Sequence, residues 1–277
     1  MTEVYGYTHS QIIPRTPKPP ETKFPTPPNV FVFTIDSMNT GMAKRSLPNF
    51  LNHFQKTFSA VEFPFVNKVG EHSQPNGFPL WFGKRREGGR TITWEELIPE
   101  WNETHYCHKY LDDYSHIFKD FKQYGYTTAL LEDWMNTLLD SWPFCKGFKK
   151  RPTDHGFRPI PSVYEKYGLN ITQYHLKGHL CRETHHAEFE YLEQLMNAYK
   201  DRPLFTWSWL NNVAHNFIDG PARIDDYLVD FFKRNRKILD NSFVFFVSDH
   251  GLRIAYGEYF QTEIGSFERH NPYLAIS

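Results

Sequence analysis

The sequence predicts an α/β protein built on a doubly wound, mostly parallel sheet flanked by helices. Three observations carry this reading. Apolar runs at 29–35, 204–210 and 243–248 are rich in Val, Phe, Trp and Leu; strands buried on both faces look like this because no face meets water. Segments with apolar residues at helical spacing lie between the runs. Strands alternating with helices are the pattern of a parallel sheet with crossover helices.

Taken in order, residues 1–28 hold seven prolines and no apolar signal-peptide core, which predicts an extended Pro-rich tail ahead of one α/β domain over 29–277. The first strand is 29–35. Residues 47–57 carry apolar positions 47, 50, 51 and 54, a helix. Residues 60–67 read as a strand, placed near a sheet edge by Pro64. Gly70 to Gly83 is a turn followed by a short helix, Asp113 to Tyr124 a helix closed by Gly125, and Thr127 to Glu132 a strand. The stretch 140–180 is irregular and rich in Pro, Gly, His and aromatics. Glu183 to Tyr199 is the clearest helix, with Phe189, Leu192, Leu195 and Met196 on one stripe and His185-His186 expected to face solvent. Ile224 to Leu239 is a helix. Pro272 to Ile276 reads as a last strand.

Composition bounds the function. Aromatic residues make up 17% of the 277, enough for a large core. There are 31 basic and 32 acidic residues, so nothing favours general nucleic-acid binding. No apolar run is long enough for a membrane span. Cys107, Cys145 and Cys181 form no C-x-x-C pair, which disfavours a zinc ribbon; Cys107 with Cys145 and Cys145 with Cys181 both remain open as a disulfide. The sequons at Asn102 and Asn170 permit glycosylation in a secretory compartment.

The chemistry concentrates at strand ends. The first strand runs into Asp36 and the fifth into Asp249-His250-Gly251. In open α/β sheets ligands gather outside the carboxyl ends of the strands, and an ionised acid buried there needs a cation or donors. Together Asp36, Asp249 and His250 make a ligand set for a divalent cation. Ser73 opens a predicted helix after Gly70. Alone it reads as a cap; beside a metal its hydroxyl becomes a nucleophile. His215 follows the fourth strand with Asn211 and Asn212 nearby, and His270 precedes the last.

These pieces resemble the alkaline phosphatase and sulfatase superfamily, and in more detail the animal sulfatase-like family known as domain of unknown function 229. The matching motifs are Val-Phe-Thr-Ile-Asp36-Ser37, Asn-Lys-Val-Gly70-Glu-His-Ser73-Gln-Pro-Asn76, Phe-Pro-Leu-Trp-Phe-Gly83-Lys84, Gln-Tyr-Gly125-Tyr-Thr-Thr, Gly147-Phe-Lys-Lys-Arg-Pro-Thr-Asp154, Ala-His215-Asn and Ser-Asp249-His250-Gly251-Leu-Arg253. They follow the family's order over roughly 29–277.

The resemblance implies an alkaline-phosphatase-like core, C-terminally truncated relative to the family. It implies Asp36, Ser73, Asp249 and His250 as metal ligands, Ser73 as nucleophile where the family has threonine, and His215 as a second catalytic residue. Asn76, Lys84, Asn211, Arg253 and His270 are the expected substrate contacts. One divalent ion (Zn, Mn or Ca) fits better than two, since Asn211 and His270 are imperfect stand-ins for further ligands.

Gly77 stands where a formylglycine sulfatase needs arginine, and Thr40 where the family often carries arginine, with Lys44 and Arg45 the nearest bases. The expected activity is a metal-dependent hydrolase or transferase of a phosphate or phosphodiester ester. The alternatives are a sulfatase-like hydrolase with unmodified serine, and a non-catalytic fold that binds a glycan or protein. The expected partner is an anionic ester of glycan or lipid-headgroup type, and the expected location is extracellular or secretory.

Overall fold

Register decides what this sheet can do, because level strand ends place their terminal side chains together. The structure, a computed structural model, describes residues 3–14, 27–91, 93–134, 144–177, 182–253 and 258–277. Its strands are β1 (Asn29–Ile35), β2 (Val61–Glu62), β3 (Gly89–Arg90), β4 (Glu96–Leu97), β5 (Thr127–Glu132), β6 (His155–Gly156), β7 (Leu204–Leu210), β8 (Ser242–Val247) and β9 (Leu274–Ile276). The ribbon of β3 and β4 stands apart, and the other seven form one sheet in the order β2-β9-β8-β1-β7-β5-β6. Strands β6, β5, β7, β1 and β8 are mutually parallel, while β9 runs antiparallel to both β8 and β2. The expected alkaline-phosphatase-like α/β architecture is what the chain adopts.

Ile35 lies opposite Leu210, and Thr34 opposite Val247. Strand β1 therefore delivers Asp36 level with Asn211 on one side and Asp249 on the other. Alternate residues of each strand feed two cores. Phe31, Phe33 and Ile35 pack with Phe50, Phe189, Leu192, Phe231 and Phe232 beneath the helices Pro48–Phe58, Thr184–Ala198 and Asp225–Arg234. Val30 and Val32 face the other side with Phe205, Trp207, Trp209, Trp81 and Phe118, under the helices Ser73–Phe82 and Ile117–Gln123.

Several expectations need correction. The strand expected over 60–67 shrinks to Val61–Glu62. It does sit at the sheet edge, and Pro64 cannot donate a ladder hydrogen bond. The helix expected from Asp113 begins at Ile117, where His116 caps it by accepting from the Lys119 N–H. The helix expected over 224–239 is a 3₁₀ turn at Gly220–Ile224 followed by Asp225–Arg234 and Arg236–Leu239. It breaks at Asn235, whose side chain bonds Glu193 at 2.7 Å and Phe231 O at 2.9 Å. The stretch read as irregular contains β6 and the helices Pro159–Tyr167 and Asn170–Leu176.

His185 does not face solvent. It is 1% exposed and packs on the rings of His186 and Tyr227; burial, then the charges of His186 and Arg223, push its pKa down to about 3. Cys107 is bonded to Cys145, which closes a 38-residue loop, and Cys181 lies outside the described residues. Residues 3–14 form no helix or strand, yet Tyr5 lies on His175 and Ile12 on the core. That part of the predicted tail is laid along the helices Asn170–Leu176 and Thr184–Ala198.

Phe33 is the tie between strand and helix layers, with ring centroids 5.9 Å from Phe189 and 5.5 Å from Phe232. Phe33→Ala is expected to cost about 3–5 kcal/mol, read as a lower denaturation midpoint in urea. A change under about 1 kcal/mol would show that this core relaxes around the cavity.

Candidate metal centre

Three side chains meet where β1 and β8 end. Asp36 and His250 are each fully buried and Asp249 is 4% exposed. One ligand atom from each lies within 4.8 Å of the other two. Ligand distances of about 2.0–2.6 Å are what a divalent cation imposes on such a set.

The donors around the cluster explain how it is held. Ser37 adopts φ of 61°, left-handed and uncommon for serine. Its N–H thereby reaches Asp249 Oδ1 at 3.0 Å, and its hydroxyl donates to Asp36 Oδ1 at 2.7 Å. The His250 N–H also donates to Asp249 Oδ1, at 2.9 Å. His250 Nδ1 donates to Gly251 O at 2.7 Å. That bond fixes the tautomer and leaves Nε2 with a lone pair aimed at the carboxylates. Nε2 stands 3.4 Å from Asp249 Oδ2 and 3.9 Å from Asp36 Oδ1.

Asp249 Oδ2 is buried with no hydrogen-bond partner among the described residues. An orphaned carboxylate oxygen is costly, and here it faces an imidazole lone pair. A cation satisfies both, so the residues fit a divalent metal. Burial, then the charge of Asp249, push the Asp36 carboxyl up to about 6, as two crowded buried acids do.

Gly251 is required by space. A Cβ there would stand 1.9 Å from Glu268 O, in the helix Glu263–His270 packed against it. The close approach seats the carbonyl that holds His250.

Ser73 reaches the cluster from the first residue of the helix Ser73–Phe82. Its Oγ donates to Asp36 Oδ2 at 3.1 Å and lies 3.3 Å from His250 Nε2. The turn before it is fixed by Asn76. Asn76 Oδ1 accepts from the N–H groups of Val69 (2.6 Å) and Gly70 (3.0 Å), while Nδ2 donates to Gly70 O (2.9 Å) and His72 O (2.8 Å). Its polar atoms are committed to the loop, so Asn76 positions Ser73 where a substrate contact was expected.

A cleft of about 310 Å³ opens over the cluster, lined by Ser73, His72, Asn211, His215, Arg253 and Trp134 among others. His215 Nδ1 is 2.8 Å from Asn216 Oδ1, which leaves Nε2 for a ligand. Asn211 donates to Trp209 O at 3.2 Å, and its buried Oδ1 has no partner among the described residues. Arg253 brings a guanidinium. Lys44 and Arg45 do not, since they pair with Glu62 at 2.7 Å and Glu268 at 2.8 Å.

Two expected contacts lie elsewhere. Lys84 follows the far end of Ser73's helix and pairs with Glu100 at 3.6 Å. Exposed His270 bonds Ser266 O at 2.7 Å. Neither lines the cleft.

One residue escaped the sequence reading. Asp133 directly follows β5 and is 1% exposed. It accepts from the N–H groups of Asn211 at 2.7 Å and Asn212 at 3.1 Å, and Asn212 Nδ2 bonds its carbonyl at 2.9 Å. It shapes the cleft wall, and burial pushes its carboxyl up. An acid closing an apolar strand was the signal, as for Asp36.

Comparison with known proteins agrees with this architecture. Curated protein sequences give no match. Among solved structures, an alkaline phosphatase superfamily protein from Vibrio parahaemolyticus is similar, with a TM-score of 0.58 at 13% identity over 91% of this chain and 60% of its own. The C-terminal periplasmic domain of EcEptC from Escherichia coli gives 0.53 at 12% identity over 93% and 76%. The lipoteichoic acid synthase LtaP from Listeria monocytogenes gives 0.55 at 10% over 90% and 65%. The chain thus spans about three-fifths to three-quarters of these proteins. At such identities the likeness is one of fold. The family model described as a protein of unknown function, DUF229, matches residues 1–277, and the chain belongs to that family.

Proposed function

We propose that this chain is a divalent-metal-dependent hydrolase or transferase of phosphate esters, with Ser73 as nucleophile. The observation that carries the reading is the position of Ser73 Oγ. It touches Asp36 and His250 of the metal cluster, lines the cleft and opens a ten-residue helix. A cation bound by Asp36, Asp249 and His250 would lower the hydroxyl's pKa and offset charge on the transferring group. The helix N-terminus adds positive potential at the same point.

The remaining steps belong to the chain's own groups. Ser73 gives up to cleft water the proton it now donates to Asp36 Oδ2, and its oxygen attacks the ester in line, breaking the bond to the leaving oxygen. Arg253 and the second N–H of Asn211 Nδ2 are the donors that would meet the oxygens of the transferring group, in a cleft where such donors act strongly. Because His215 Nδ1 donates to Asn216 Oδ1, its Nε2 would protonate the leaving oxygen from the imidazolium form. Hydrolysis of the seryl ester by water, or its transfer to an acceptor hydroxyl, completes turnover. Serine keeps the hydroxyl that this route needs, and Gly77 in place of arginine leaves no formylglycine signature.

The disulfide between Cys107 and Cys145 supports an oxidising compartment, in line with an extracellular or secretory location. Among the described residues no helix is long and apolar enough to cross a membrane.

Ser73→Ala is expected to lower kcat on an aryl phosphate or phosphodiester by about 10³-fold or more, with a wild-type melting curve. Wild-type turnover of phosphate, phosphodiester and sulfate esters in that variant would refute the nucleophile. Equal losses on a sulfate ester alone would move the reading to the sulfatase-like alternative.

The pH dependence has a definite sign. Raised to about 6 by burial and by Asp249, Asp36 favours the metal-free fold below its ordinary carboxylate range, and that contribution is lost as pH rises through about 6. A cation competes with that proton, so the rise in melting temperature on adding Mn²⁺ should be small at about pH 5 and grow toward about pH 7. A shift that shrinks as pH rises would contradict Asp36 as a ligand.

A further inference from the structure

The basic residues of this chain are not spread evenly. The whole chain carries a net charge of -1, yet 146–158 holds Lys146, Lys149, Lys150, Arg151 and Arg158 against one acid, Asp154. Asp154 is already committed, 2.5 Å from Lys122 Nζ and 3.0 Å from the Thr128 hydroxyl. The segment is rigidly built. The disulfide fixes Cys145 to Cys107, and the Lys146 N–H donates to Cys107 O at 2.9 Å. Asp112 accepts from the N–H groups of Lys149 and Lys150 at 2.7 and 2.8 Å. Lys146 and Lys149 both lie over the Tyr110 ring.

Beside this ledge is a pocket of about 360 Å³ that the ester chemistry does not use, lined by Arg151, Arg158, Ser162, Glu132 and Phe148 among others. Both arginines are exposed at its mouth. Arg151 makes no ion pair or hydrogen bond among the described residues, and its stem lies over Gly156, where a Cβ would stand 3.5 Å from Cδ. Glu132 is 2% exposed, and Phe148 stacks on Phe82 and is half-buried. The pocket therefore brings two guanidinium groups, a buried carboxylate and an aromatic face to one opening, with the Arg151 fork placed for an anionic group.

Its place relative to the metal centre is fixed by the sheet. Glu132 ends β5 and lines this pocket; Trp134, two residues on, lines the metal cleft. Strand β5 lies two strands from β1 in the sheet, so at about 4.8 Å per strand the pocket stands roughly 10–15 Å from Asp36.

We propose that the Arg151–Arg158 pocket and its lysine ledge form an accessory subsite for a polyanionic saccharide, whose ester group reaches the metal cleft across Trp134. The second anchor point rests on the ester chemistry proposed above; the subsite itself does not. The buried Glu132 favours a hydroxyl-rich ligand over a nucleic-acid backbone, which it would repel. The chain's 31 basic and 32 acidic residues also give no overall basic excess of the kind a nucleic-acid partner uses.

The test is equilibrium binding of the full chain to a labelled, sulfated heparin-type hexasaccharide, its desulfated counterpart and a single-stranded DNA oligonucleotide of equal charge. The sulfated hexasaccharide should bind, weaken with salt, and outbind both controls. Arg151→Ala with Arg158→Ala should weaken it about tenfold or more, as loss of charge-assisted bonds requires. Lysine at both positions should restore part of the loss. An arginine-directed dicarbonyl reagent gives a readout independent of folding in the variants, since the wild-type hexasaccharide complex should protect Arg151.

Binding is read without turnover, so Ser73→Ala should keep it while losing activity. The subsite and the ester chemistry thus fail separately. Equal affinity of wild type and the double alanine variant, equal binding of the oligonucleotide, or an unprotected Arg151 would each overturn the proposal.

Discussion

Two carboxylates held together in a buried place are the constraint around which this molecule is arranged. Asp36 is fully buried and Asp249 is 4% exposed, and both occupy the ends of neighbouring parallel strands. Charges so placed repel each other and lose hydration, a combination tolerated only with protonation, donors or a cation. The chain supplies donors to Asp249 Oδ1 from Ser37 and His250, and leaves Oδ2 without one. That asymmetry suits a cation better than it suits an acid that is merely well hydrogen-bonded. Asp133 is the contrast. It is equally buried, yet N–H groups of Asn211 and Asn212 reach both of its oxygens.

Other features follow from holding that cluster still. Ser37 takes a left-handed conformation so that its N–H points at Asp249. Gly251 lets the chain pass within contact of Glu268, and its carbonyl turns His250 so that Nε2 faces the acids. Asn76 uses both ends of its amide to shape the loop that presents Ser73. None of these three touches a substrate in the proposed chemistry, and each determines where a reacting atom lies. Aromatic packing on both faces of the sheet gives the strand ends a rigid base.

Much of this was legible in the sequence, for a physical reason. A strand inside a sheet is mostly apolar, so an acid that closes such a run marks the sheet edge. That is why β1, β5, β7 and β8 were placed closely, and why Asp36, Asp249 and His250 stood out. Asp133 carries the same mark after β5. Direction along a helix was less legible. Lys84 is near Ser73 in sequence, but the helix Ser73–Phe82 carries it about 15 Å away at a rise of ~1.5 Å per residue. Burial of more than one stripe was also hidden. The helix Thr184–Ala198 is packed on several sides, so His185 and Glu188 are buried where a single apolar stripe suggested solvent. The helices Thr40–Ser46 and Glu263–His270 gave weak periodicity; caps at Asn39 and Thr262 hold them. The pairing of Cys107 with Cys145 rests on proximity across a loop, which spacing alone does not encode.

The central claim is that Asp249 Oδ2 and His250 Nε2 face a cation. Elemental analysis of chain purified without chelator, loaded with Zn²⁺, Mn²⁺ or Ca²⁺ and dialysed, tests it most directly beside Asp249→Asn with His250→Ala. The account predicts about one equivalent of metal in the wild type and its loss in a variant that keeps the wild-type circular dichroism. Wild-type chain that is folded and retains none of the three ions would contradict it.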